Sequence, residues 1–209
     1  MKLKICGMKY EDNMKQVAAL EPDYLGFIFY KKSARYFSGD LPELPESIKK
    51  VGVFVDAELE DVINKIATYN LQAVQLHGNE TPEYCMNLSR MHTEIEIIKV
   101  FSIKDRFNFE VLDPYEPVCH YFLFDTKGAL PGGNGYTFNW NVLNSYPSTK
   151  PFFLSGGIGL DEMEKLNKFK ASKASRYCKA IDVNSKFEIE PGLKSVALLK
   201  AFNIKRSQI

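Results

Sequence analysis

The segment from Lys50 to Val100, KVGVFVDAELEDVINKIATYNLQAVQLHGNETPEYCMNLSRMHTEIEIIKV, decides the fold. It holds three short apolar runs at residues 50–55 (KVGVFV), 73–76 (AVQL) and 96–100 (EIIKV). Between the first two, residues 59–69 put Leu59, Val62, Ile63 and Ile66 on one helical face. Between the second and third, residues 81–91 open with Thr81 and Pro82, an N-cap and a first helical residue. Short runs that are apolar on both faces suit strands covered on both sides. Strands alternating with helices imply right-handed βαβ units and a parallel sheet.

The alternation extends both ways. Apolar runs stand at residues 3–6 and 23–28 upstream, and at 121–124, 151–154 and 178–183 downstream. Helical patterns follow at 12–21, 160–169 and 196–204. The runs number eight, enough to close a (β/α)8 TIM barrel, and ~200 residues is the lower size limit of that fold. The expectation is an α/β chain forming one barrel domain over residues 1–209, with an open doubly wound sheet as the rival. The weakest helical stretches are 106–117, which contains two prolines, and 139–146, which is short. The glycine-dense segment 127–136 (KGALPGGNGY) reads as a loop inside the fold and not as a domain boundary.

Lys plus Arg is 27 and Asp plus Glu is 26, so the basic excess of a nucleic-acid or membrane-surface binder is missing. The N-terminus turns polar too soon for a signal peptide, and no apolar run nears the roughly 18 residues of a membrane span. Cys6, Cys85, Cys119 and Cys178 are widely spaced with no CxxC pair, and the three histidines show no metal-ligand spacing. The expectation is a cytoplasmic protein with no metal and no nucleic-acid or membrane partner.

In such a barrel the chemistry gathers at the C-terminal ends of the strands. That rule selects Cys6, the loop carrying Lys31, Lys32 and Arg35, His77, Asp125, the Ser155-Gly156-Gly157 turn, and Asp182 with Asn184 and Ser185. Each has two readings. The glycines either only turn the chain or bring backbone N–H groups to a phosphate, with Asn184 and Ser185 adding donors. Asp125 either caps a loop amide or, desolvated at an apolar strand end, acts as a general acid. Cys6 is either a small buried hydrophobe or a partly exposed thiol of lowered pKa that takes a proton. Arg35 either belongs to a solvated basic loop or grips a carboxylate or phosphate. Cys85, Cys178 and Trp140 read as core or lining.

Taken in order, these pieces resemble the phosphoribosylanthranilate isomerase family along nearly the whole chain. Lys4-Ile5-Cys6-Gly7 is similar to the family's KICG, Leu25-Gly26-Phe27-Ile28-Phe29 to LGFVF, and Ser33-Ala34-Arg35-Tyr36 to its S-x-R-Y loop. Val51-Gly52-Val53-Phe54 and Val74-Gln75-Leu76-His77-Gly78 match VGVF and VQLHG. Gly132-Gly133-Asn134-Gly135, Leu154-Ser155-Gly156-Gly157 and the Asp182–Asn184–Glu188 region resemble GG-[ST]-G, LAGGL and VDVSSGVE. The chain departs from the pattern at Ala34, Asn134, Asn139 and the stretch 184–187 (NSKF). The resemblance implies an Amadori rearrangement of N-(5′-phosphoribosyl)anthranilate without a cofactor, with Asp125 as acid and Cys6 as base. It implies that Arg35, Gln75, His77, Gly133 and Gly135 contact the substrate, Arg35 through the anthranilate carboxylate. Gly156, Gly157, Asp182, Asn184 and Ser185 would surround the phosphate.

The rivals are another phosphosugar barrel enzyme or a non-catalytic phosphate-ligand barrel. An epimerase would want strand-end histidine ligands, and an indole-glycerol-phosphate synthase would want Lys and Glu pairs there. A binding barrel would not need Cys6 or Asp125. The expected partner is a small phosphorylated substrate. A monomer is the expected state and a homodimer the alternative.

Overall fold

The computed structural model describes residues 1–126 and 137–208. Eight parallel strands close into a barrel in sequence order: β1 (Lys2–Ile5), β2 (Tyr24–Ile28), β3 (Lys49–Phe54), β4 (Ala73–Leu76), β5 (Glu96–Ile103), β6 (Tyr121–Thr126), β7 (Phe152–Leu154) and β8 (Cys178–Val183). Closure is made where β1 pairs with β8, Lys4 opposite Asp182 and Ile5 opposite Val183. This rules out the open doubly wound sheet, whose edge strands would stay unpaired.

Strand residues alternate between two cores, as the two-residue pleat requires. Inside the barrel lie Tyr24, Val51, Ala73, Ile98, Val100, Leu123, Phe153 and Ala180. Outside it, Leu3, Ile5, Leu25, Phe27, Phe54, Val74, Leu76, Ile97, Phe122 and Phe124 pack beneath the surrounding layer. Each large apolar side chain buried this way contributes roughly 1.5–3 kcal/mol. Tyr24 and Tyr121 meet Phe153 edge-on, with ring centroids at 5.2 and 5.4 Å. These rings plug the N-terminal half of the interior, so the site lies at the opposite end.

The helices are α1 (Glu11–Ala18), α2 (Leu59–Tyr69), α3 (Pro82–Met91), α4 (Met163–Lys170) and α5 (Val196–Ser207). Val62 and Ile66 of α2 are buried, as their spacing requires, and Asn70 ends the helix in the left-handed conformation. Thr81 caps α3 by accepting from Tyr84 N–H at 3.2 Å, with Pro82 at the first position. The two weak stretches form 3₁₀ turns, Phe109–Tyr115 and Trp140–Ser145. Pro114 lies inside the first and removes a donor that an α-helix would need. No helix follows β2. Its crossover instead buries Phe37 and packs Phe29 against Phe54 and Tyr69. A two-stranded hairpin, β9 (Glu188–Glu190) and β10 (Leu193–Lys194), follows β8 and was not anticipated from the sequence. No helix of the described residues is long and apolar enough to cross a membrane.

Candidate active site

The C-terminal ends of the strands surround a cleft of about 730 Å³, open mouth included. Cys6, Arg35, Gln75, His77, Asp125, Ser155, Gly156, Gly157, Asp182, Asn184 and Ser185 all line it. Chain positions nearly 180 residues apart are thereby brought to one mouth. Gly133 and Gly135 lie outside the described residues.

Cys6 immediately follows β1, where its N–H donates to Val183 O at 2.9 Å. Its Sγ points toward β2: a Cβ on Gly26 would stand only 2.8 Å from it. The sulfur therefore fills the space left by a missing side chain. Cys6 is 4% exposed, less open than the partly exposed thiol expected from sequence. Burial pushes its pKa above the ordinary thiol value instead of lowering it. The Lys4 ammonium pulls the other way, the Asp182 charge adds to the rise, and Lys194 opposes it.

Lys4 is fully buried and donates to Asp182 Oδ1 at 2.9 Å. Burial alone would drive the ammonium down, but Asp182 and Cys6 hold it above its ordinary value. Asp182 also accepts from Ser155 Oγ at 3.2 Å. Asp182, expected from the sequence beside the phosphate, lines the cleft with its carboxylate engaged by Lys4 and Ser155. A carboxylate has no proton to offer an anion, and this one is turned toward Lys4.

Asp125 sits on β6, 5% exposed, and its Oδ1 accepts from Thr126 N–H at 2.9 Å. Its Oδ2 lies 3.4 Å from His77 Nε2. His77 Nδ1 in turn lies 3.2 Å from Gln75 Nε2, so an amide donor there leaves the imidazole proton on Nε2, facing Asp125. The His77 loop is fixed by a buried pair that sequence reasoning missed. Glu80 accepts from Gly78 and Asp56 N–H, while Lys99 Nζ donates to Glu80 at 3.0 Å and to Gly78 O at 2.7 Å. A lysine inside the apolar run EIIKV was the available signal.

Gly156 and Gly157 follow β7 with φ of +90° and +67°, a region that favours glycine. The chain then runs through the 3₁₀ turn Leu160–Glu162 into α4, one turn later than the expected helix start. Asn184 and Ser185 begin the turn after β8, beside these glycines because β8 pairs with β7.

Arg35 donates to Glu188 through Nε at 2.9 Å and Nη2 at 2.7 Å. Lys194, fully buried, donates to the same carboxylate at 2.7 Å and to Asn184 Oδ1 at 2.6 Å. Burial would raise the Glu188 pKa, but Arg35, Lys194 and the Gly192 N–H together hold it below the ordinary carboxylate value. Glu188 and Lys194 were not singled out as site residues from the sequence. Among the described residues no group of three or more His, Cys, Asp and Glu side chains is placed to hold a metal ion.

A closed parallel barrel, plugged at one end and lined with ionisable groups at the other, defines a (β/α)8-barrel enzyme of small molecules. The family model described as N-(5′-phosphoribosyl)anthranilate (PRA) isomerase matches residues 3–205. The chain belongs to this family of tryptophan-biosynthesis isomerases, whose reaction is an Amadori aldose–ketose rearrangement. A relative from Phocaeicola vulgatus, N-(5′-phosphoribosyl)anthranilate isomerase, is 41% identical over 202 residues, covering 97% of this chain and 96% of its own. The crystal structure of phosphoribosyl anthranilate isomerase from Thermus thermophilus aligns with a TM-score of 0.84 at 27% identity, covering 100% of this chain and 99% of that one. A structure of the enzyme in complex with reduced 1-(o-carboxyphenylamino)-1-deoxyribulose 5-phosphate aligns at 0.78 and 28% identity, covering all of both chains.

Proposed function

We propose that this chain isomerises N-(5′-phosphoribosyl)anthranilate with Asp125 as general acid and Cys6 as general base. Asp125 gives its proton to the ribose ring oxygen as the C1′–O bond breaks. The nitrogen lone pair forms the C1′=N bond of a Schiff base. Cys6, as thiolate, removes the C2′ proton, and the released pair forms C1′=C2′ while nitrogen regains its own. The resulting enolamine takes a proton at C1′ while its 2′-hydroxyl gives one up and the O–H pair becomes the C2′=O bond of 1-(2-carboxyphenylamino)-1-deoxyribulose 5-phosphate; the proton left on Cys6 is released and Asp125 takes one up, which resets the pair. Atoms and charge balance, since the product is an isomer of the substrate.

One observation carries this reading: Cys6 and Asp125, set at the ends of β1 and β6, are buried against one cleft whose rim carries the Gly156 and Gly157 backbone. One group must begin protonated and the other deprotonated, which needs two different environments. Asp125 has His77 and Thr126 as donors, and Cys6 has Lys4 and Lys194 as nearby cations. The backbone at Gly156, Gly157, Asn184 and Ser185 holds the phosphate. The related complex with a phosphorylated product analogue supports that class of ligand. Arg35, oriented by Glu188, presents its remaining guanidinium edge to the anthranilate carboxylate, with Gln75 and His77 lining the same mouth. Gly133 and Gly135, outside the described residues, are proposed as further substrate contacts.

The chain acts as one barrel domain over residues 1–209, in the cytosol and as a monomer. Four free cysteines support the compartment. Exposed apolar residues scattered over α3, β9 and α5 support the monomer, with a homodimer decided by sedimentation. Growth of a tryptophan-requiring strain lacking the isomerase tests the function. Wild type should restore growth, and Cys6→Ala or Asp125→Asn should not. Full rescue by both variants would refute the assignment.

A further inference from the structure

Asn184 lines the cleft from the turn after β8, at a position where the chain departs from the VDVSSGVE pattern. Its side chain is held by Lys194, whose Nζ donates to Asn184 Oδ1 at 2.6 Å. An ammonium has three donors and no acceptor, so only the oxygen of the amide can face it. The Nδ2 group is thereby turned away from Lys194.

Lys194 is fixed at both ends. Its ammonium is fully buried and also donates to Glu188 Oε1 at 2.7 Å. Asn13 of α1 grips its backbone, donating to Lys194 O at 2.9 Å and accepting from Lys194 N–H at 2.8 Å. A lysine held this firmly leaves the Asn184 amide one orientation.

The amide stands beside Arg35. Gly7, at φ +77°, has no Cβ, and one built there would meet Asn184 Oδ1 at 2.8 Å and Arg35 Cδ at 2.9 Å. Two side chains, one from the turn after β8 and one from the loop after β2, therefore converge on one point. Glu188 organises both, Arg35 directly through Nε and Nη2, and Asn184 through Lys194. Among the described residues no acceptor takes up Arg35 Nη1 or Asn184 Nδ2. Neighbouring donors without an acceptor suit a planar oxyanion.

We propose that the side-chain amide of Asn184, turned by Lys194, is a second donor to the anthranilate carboxylate, beside Arg35. The amide touches the substrate, and Lys194 is a positioning residue that acts through it. The proposal rests on the reading of Arg35 as the grip on that carboxylate. The phosphate contact proposed for residue 184 uses its backbone and not this amide.

Two ligands separate the carboxylate from the phosphate. One is reduced 1-(o-carboxyphenylamino)-1-deoxyribulose 5-phosphate, and the other is the same molecule with phenyl in place of carboxyphenyl. Calorimetry on the full chain measures both. Asn184→Asp keeps an acceptor for Lys194 and sets an oxygen where the NH2 stood. It should weaken the carboxylate ligand by about 10–100-fold, the size of a lost hydrogen bond to a charged group, and leave the phenyl ligand nearly unchanged. Asn184→Ala, which adds no charge, should show the same selectivity at smaller size. Lys194→Met frees the amide to turn and should show it too, and combining it with Asn184→Ala should add little, since both act through one group. A lysine that only packs the hairpin would weaken both ligands alike and add its cost to that of Asn184→Ala. If Lys194→Met does not fold, the two Asn184 variants decide the proposal alone. Equal weakening of the two ligands, or selective weakening by Asn184→Asp with none by Asn184→Ala, overturns it. Absence of wild-type turnover of N-(5′-phosphoribosyl)anthranilate would instead remove the substrate reading, and that result is read independently of the binding ratios.

Discussion

Cys6 owes its position to an absent side chain on the neighbouring strand. The Cβ that alanine would add at Gly26 meets the Cys6 sulfur at 2.8 Å and its Cα at 3.1 Å. One of the two must shift in a packed wall. Gly26→Ala should cost about 1–3 kcal/mol of stability by overpacking. It should also lower kcat more than stability alone explains, because the sulfur is pushed off its line to the substrate. Chemical denaturation and steady-state kinetics on the same preparation check both, and an unchanged kcat would show that the sulfur has room to spare. At this scale the sequence was readable where chemistry coincides with a strand end, as at Cys6 and Asp125. It was unreadable at Lys4, whose partner Asp182 is 178 positions away. A lysine in the run LKIC looks like an interruption of an apolar strand until the barrel closes around it.

Among the elements, the β9–β10 hairpin does more for the site than its seven residues suggest. Its Glu188 ties Arg35, Lys194 and Gly192 N–H to one carboxylate. The folded-state pKa of Glu188 lies below the ordinary 4.5. Its contribution to stability is therefore complete above the unfolded value and is lost as pH falls through the folded one. The stability gap between wild type and Glu188→Gln should be widest near neutral pH and should narrow steadily below about pH 4.5. Urea unfolding at a series of pH values measures this, and a gap that stays constant or widens in acid would contradict it. The hairpin was not legible because strands of three and two residues around Pro191-Gly192 carry no periodic pattern. Helices α2 and α3 were legible from their apolar faces and, in α3, the Thr81 cap. The two proline-bearing or short stretches became 3₁₀ turns for the local reasons that made them weak.

For the whole molecule, counting eight apolar runs was enough to propose a closed barrel, but no local signal specifies closure. That depends on four register pairs between β1 and β8, from Lys2 with Ala180 to Ile5 with Val183. The same pairing sets Asp182 opposite Lys4 and brings Cys6 after β1 and Asn184 after β8 to one mouth. Cooperative closure thus links the fold to the acid–base pair. The most direct measurement is steady-state turnover of N-(5′-phosphoribosyl)anthranilate by purified wild type, Cys6→Ala and Asp125→Asn. The expected result is clear wild-type turnover, with kcat lower by about 10²–10⁴-fold in each variant and folding intact, the range for removing a general acid or base. Wild-type turnover that survives undiminished in both variants would contradict the assignment of Asp125 and Cys6.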